Sequence, residues 1–138
     1  IQAARALGHG DDPVLRQGLA DLWIREQIKG YIGQRIRTAV AAGRVPGPEG
    51  SLAKLNGSLL SRRVRDVSLA IAGTAAQAWD ADDAQGDRWA MGCLSTAGIS
   101  IAGGTDEVQR NIIGERVLGL PKEPDPYKGA AWEEIPRS

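Results

Sequence analysis

Ile101-Ala-Gly-Gly-Thr-Asp-Glu-Val-Gln-Arg-Asn-Ile-Ile-Gly-Glu-Arg-Val-Leu-Gly-Leu-Pro121 carries the densest set of local instructions in the chain. Gly103 and Gly104 let the backbone turn sharply and leave it uncovered by side chains. Thr105 is placed to cap a helix, and Asp106 and Glu107 in its first turn suit the positive helix end. Val108, Ile112, Ile113 and Val117 form an apolar stripe, and Gly119 followed by Pro121 is a stop signal. A glycine turn feeding a helix N-terminus also presents free N–H groups that suit a phosphate or pyrophosphate. On residue chemistry alone, an ordinary capped helix is the simpler reading of the same pattern.

Helical periodicity recurs upstream. Leu15, Leu19, Leu22, Ile28, Tyr31, Ile32, Ala39 and Val40 lie roughly on one face and predict a helix from Pro13 to about Ala42. Asp11 or Asp12 caps it, Pro13 is tolerated in its first turn, and Gly43 marks its end. Arg44-Val-Pro-Gly-Pro-Glu-Gly50 reads as a loop. A second long helix follows from about Ser51 to Ala72, with Leu52, Leu55, Leu59, Leu60, Val64, Val67 and Ile71 as its stripe. Arg62, Arg63 and Arg65 decorate its other faces, and Gly73 with Thr74 ends it.

After an acidic loop at Asp80-Ala-Asp-Asp83, a shorter helix from Asp87 to about Ala97 is expected to bury Trp89, Cys93 and Leu94. Gly98-Ile-Ser-Ile-Ala102 reads as extended. Two long antiparallel helices and two shorter ones describe an all-α, up-and-down four-helix bundle over residues 1–121, with an irregular tail over 122–138. In the tail, Trp132 and Ile135 are candidate anchors to a neighbour. Ile1-Gln-Ala-Ala-Arg-Ala-Leu7 reads as the end of a helix begun earlier, so the first bundle helix is truncated and the chain is expected to be a piece of a longer protein.

Composition narrows the functional classes. The 138 residues hold 17 Lys and Arg against 17 Asp and Glu, so no net field draws nucleic acid or an anionic membrane. No apolar run is long enough to span a bilayer. The single cysteine, Cys93, excludes an internal disulfide and a Cys-based metal cluster, and fits a reducing cytoplasm. His9, the only histidine, lies between two glycines in a turn and reads as a loop residue. Cys93 reads as a small buried apolar residue, the three arginines as solvated or paired, and the acidic cluster as a solvated turn.

Residues 103–121 closely resemble the C-terminal signature of acyl-CoA dehydrogenases, in which a Gly-Gly-Thr or Glu-Gly-Thr turn leads into x-x-Ile-Gln-Arg and a helix ending in Leu-Gly-Leu-Pro. Pro48-Glu-Gly-Ser-Leu-Ala-Lys54 is similar to the family's Ala-Ser-Ile-Ala-Lys helix start. Asp12-Pro-Val-Leu-Arg-Gln-Gly-Leu-Ala-Asp-Leu22 is similar to the opening of the helix before it. The resemblance implies the C-terminal bundle of an FAD-dependent enzyme that oxidises the Cα–Cβ bond of an acyl-CoA thioester to the trans-enoyl-CoA. It implies electron-transfer flavoprotein as acceptor and a homo- or hetero-oligomer, dimer or tetramer, with the bundle as the tetramer core. Residue by residue, it places Gly104, Thr105 and Glu107 at the cofactor, near its pyrophosphate and adenosine, and Gly73 at the flavin of an adjacent subunit.

Two departures qualify what carries over. Gly103 stands where members with a Glu-Gly-Thr turn have the catalytic glutamate, and glycine cannot take a proton. The resemblance therefore puts the base upstream, on the first bundle helix, or in a partner subunit. The family's Arg-x-x-Phe-Gly flavin motif is absent, with Gly8-His-Gly-Asp-Asp12 in that region. The alternatives are a non-catalytic partner subunit, an acyl-CoA oxidase or a flavin monooxygenase.

Overall fold

The computed structural model describes residues 1–45, 47–76, 82 and 84–136. Among them five α-helices follow in order: α1 Gln2–Ala6, α2 Pro13–Ala41, α3 Glu49–Ala72, α4 Ala84–Ile101 and α5 Asp106–Arg116. Single 3-10 turns at Gly73–Ala76 and Trp132–Glu134 complete the regular structure, and no strand occurs among the described residues. The expected all-α bundle is what forms, with α1 as the short leading helix.

Local chemistry accounts for the helix ends. Asp12 caps α2, its Oδ1 accepting from Val14 N at 2.8 Å and Leu15 N at 3.0 Å, with Pro13 in the first position. Gly43 (φ +74°) and Gly73 (φ +60°) take the chain out of α2 and α3 through a region that other residues rarely adopt. α5 ends at Arg116, Gly119 turns at φ +70°, and Leu120 folds back to give its N–H to the Gly114 carbonyl at 3.0 Å.

α3 is the hub, packing against α1, α2, α4 and α5. The early part of α2 meets the late part of α3, so the two run antiparallel: Leu15, Leu19 and Leu22 pack onto a core of Ala4, Val67 and Ile71. The helices come close because Gly18 is buried; a Cβ there would stand 3.2 Å from a Val67 methyl. Asp21 reinforces the pair, accepting from Arg63 Nε at 2.8 Å and from Arg25 Nε at 2.9 Å.

Three local expectations are corrected. The 98–102 segment is not extended: α4 runs through Ile101, and Ala102 N still bonds the Gly98 carbonyl at 2.9 Å. The alternating Ile-Ser-Ile pattern is overridden because Ser100 docks on α3, its hydroxyl 3.0 Å from that of Ser58. Leu94 is not buried but 64% exposed, while Trp89 and Cys93 are half-buried and Thr96 takes the buried place on α4. The stripes on α2 and α3 exist, yet Ile28, Tyr31, Val40, Leu59 and Val64 meet solvent. The acidic segment at 80–83 lies outside the described residues apart from Asp82, which is exposed, and so does the Trp132 side chain.

The accessible surface is 10271 Å². A compact monomer of 14.6 kDa would expose about 6,900 Å². None of the described helices is long and apolar enough to cross a membrane.

Candidate functional site

α4 delivers the chain to Gly103 (φ +69°) and Gly104 (φ +89°), which reverse it into α5. Both angles favour glycine, and at Gly104 a Cβ would stand 2.8 Å from Gln109 Nε2, so the Gln109 amide would have to move. That amide nitrogen donates to the Gly103 carbonyl at 2.8 Å, closing the turn onto the helix it feeds. Thr105 is the N-cap, its Oγ1 accepting from Val108 N at 3.3 Å. At Gly103 the space is open: nothing stands within 4 Å of where a Cβ would be.

Glu107 stands at the same helix end. Its carboxyl is held below the ordinary range, first by its own backbone N–H and then by the Thr105 hydroxyl, with Arg110 adding charge at 3.5 Å. A carboxylate therefore already rests on the donors that the helix end offers to an anion. Its side chain is 79% exposed, so it can swing away from them without being desolvated.

Beneath the turn lies the most buried charge among the described residues. Asp106 is 2% exposed, and its two oxygens meet three donors from α3. Oδ1 accepts from Lys54 Nζ at 3.0 Å; Oδ2 accepts from the Ser58 hydroxyl at 2.9 Å and from Arg62. Lys54 also donates to the Ser100 carbonyl at 3.3 Å, and Ser58 and Ser100 share a hydrogen bond. Burial pushes the Asp106 carboxyl up, but the hydrogen bonds from Ser58 and Lys54, with the charges of Lys54 and Arg62, outweigh it and hold the group below the usual carboxylate range. An open cleft of about 450 Å³ flanks this arrangement, bordered by Ser51, Lys54, Gly103, Gln109 and Arg116.

The structure brings Gly104, Thr105 and Glu107 together at one turn and leaves Gly73 apart. Gly73 closes α3, about 16 Å along the axis beyond Arg62 at ~1.5 Å per residue. It is exposed, with open space around its α-carbon. Sequence reasoning missed the Asp106 cluster. Lys54, Ser58 and Arg62 recur every four residues off the apolar stripe of α3, a polar row that signals a buried polar partner. Arg63 and Arg65 are paired with Asp21 and Asp66, as the simpler reading of the arginines had it.

Residues 2–118 match the family profile described as the acyl-CoA dehydrogenase C-terminal domain. This chain belongs to the acyl-CoA dehydrogenase family. It is 30% identical over 129 residues to acyl-CoA dehydrogenase IpdE1 of Mycobacterium tuberculosis, a match covering 89% of this chain and 31% of that protein. It is 31% identical over 125 residues to IpdE1 of Mycolicibacterium smegmatis, covering 89% of this chain and 30% of that one. The solved structure of the ChsE4-ChsE5 complex from Mycobacterium tuberculosis shares the fold at a TM-score of 0.68 and 27% identity, over 82% of this chain and 30% of that chain. The chain thus spans about a third of the length of the acyl-CoA dehydrogenases it matches.

Proposed function

We propose that this chain is the C-terminal bundle of an FAD-dependent acyl-CoA dehydrogenase, supplying flavin contacts and an oligomer interface. On this reading residues 1–121 are the bundle domain and 122–138 a tail. The observation that carries it is the 103–105 turn: the open side of Gly103, a Thr105 hydroxyl and a helix N-terminus converge where a dinucleotide pyrophosphate can be held. The donor set fits that group, provided Glu107 swings off it. Gly104 and Thr105 would hold the pyrophosphate, with Glu107 beside the adenosine.

Bound flavin would supply the acceptor for the β-hydride of an acyl-CoA thioester, with electron-transfer flavoprotein as the onward acceptor. The thioester carbonyl makes the α-proton acidic enough for a desolvated carboxylate to remove it. Gly103 offers no such group, so in this reading the described residues bind and orient while the proton is taken by a residue elsewhere in the assembly. Gly73, far along α3 from the turn, would then touch the flavin of another subunit.

Purification of the full-length protein tests this. A flavin spectrum that bleaches anaerobically with acyl-CoA is expected; persistently flavin-free protein without turnover would overturn it. Peroxide formed in air, in place of reduction of a flavoprotein acceptor, would mark an oxidase. The second reading is a non-catalytic subunit that completes a partner's flavin site. It rests on Gly103 at the base position and on the likeness to a complex of two named chains. A catalytically competent homotetramer from this protein alone would exclude it.

A further inference from the structure

The side chain of Asp106 is not needed to cap the helix it opens. Thr105 already caps α5 through Val108 N, and an exposed carboxylate would serve the helix end as well as a buried one. Instead its two oxygens face Lys54, Ser58 and Arg62, spread over two turns of α3, and Lys54 reaches on to the Ser100 carbonyl in the last turn of α4. Burying a charge is costly, and an apolar contact of the same size would hold two helices together equally well. What a carboxylate with three converging donors adds is direction: it accepts only along particular lines, so it sets the position and rotation of the residue that carries it. That residue directly follows the 103–105 turn. From the other side, Gln109 ties the turn back through the Gly103 carbonyl.

We propose that Asp106 is a positioning residue: through Lys54, Ser58 and Arg62 it fixes where the 103–105 turn stands on α3. The consequence for the cofactor rests on the reading of that turn as a flavin contact. The donors offered to a pyrophosphate are then in register because Asp106 anchors the peptide units that carry them. The cluster holds two cations and one anion, so it also leaves positive charge beside a site meant for phosphates.

The test compares the full-length protein with its Asp106→Asn and Asp21→Asn variants. Asp21 also accepts from two arginines and ties α2 to α3, away from the turn, so it controls for general loss of stability. Amide hydrogen exchange over residues 103–107, read by mass spectrometry well below unfolding, is expected to quicken by about tenfold in Asp106→Asn. The same peptide in Asp21→Asn is expected to match the wild type. In parallel, flavin titrated into apo-protein is expected to bind Asp106→Asn with a Kd weakened about tenfold or more, and Asp21→Asn with an unchanged one. Unchanged exchange at the turn in Asp106→Asn overturns the positioning role, whatever flavin does. Quickened exchange with an unchanged flavin Kd overturns its bearing on the cofactor. Wild-type protein that takes up no flavin overturns the functional reading instead, and the exchange comparison still decides the positioning role.

Discussion

Asp106 makes the fold sensitive to acid. Its folded pKa lies below the unfolded value of about 3.9, so its contribution is complete above that pH and is lost as pH falls through the folded value. Asp21, also held low by Arg63, adds a term of the same sign, so the comparison has to be between variants. In urea unfolding over a pH series, Asp106→Asn should lower stability at neutral pH by about 3 kcal/mol, because Lys54 and Arg62 lose their shared anion. The same variant should show a flatter loss below about pH 4 than the wild type; parallel curves would mean that Asp106 is not charged in the fold. Thr105→Ala removes the α5 cap and should cost about 1 kcal/mol in the same assay. Lys54, Ser58 and Arg62 recur every four residues on α3, but that spacing does not name the partner they share. Their partner lies on a different helix, and nothing in the local pattern of Asp106 separates a buried carboxylate from an ordinary first-turn one.

At the scale of elements, two helical glycines on α2 have opposite surroundings. Gly18 stands under Val67, where a Cβ is already tight at 3.2 Å, so Gly18→Leu should force α2 off α3 and cost about 2–3 kcal/mol. Gly30 has nothing within 4 Å and is exposed, so Gly30→Ala should stabilise by about 0.5–1 kcal/mol through helix propensity alone. Denaturant midpoints of the two variants check both; equal shifts would contradict the packing described for α2 on α3. Helix positions were readable because caps, breakers and periodicity are local: Asp12, Gly43, Gly73, Thr105 and Gly119 all act where the sequence placed them. The 98–102 segment departs from its extended reading for a matching reason. Two β-branched residues flanking a serine favour extended backbone locally, but Ser100 docks on Ser58 and the helix continues.

At the scale of the molecule, Ile24, Ile28 and Tyr31 recur on one face of α2 at helical spacing and are 51%, 45% and 61% exposed. That exposed apolar face fits the oligomer interface proposed above. Ile24→Glu with Ile28→Glu should therefore shift the full-length protein to a smaller species in sedimentation velocity. An unchanged sedimentation coefficient would mean the face is covered by something other than another subunit.

The sequence by itself determined the helices, their order and the glycine turn that opens α5, because each is written in residues within a few positions of one another. The match over residues 2–118 bears out the family that its signature pointed to. Only the tertiary structure decided which polar side chains are buried together, which apolar stripes find a partner within this chain, and that Gly73 stands apart from the 103–105 turn. Those outcomes depend on how α3 meets α2, α4 and α5, and periodicity along one helix gives the face it buries without giving the neighbour that covers it.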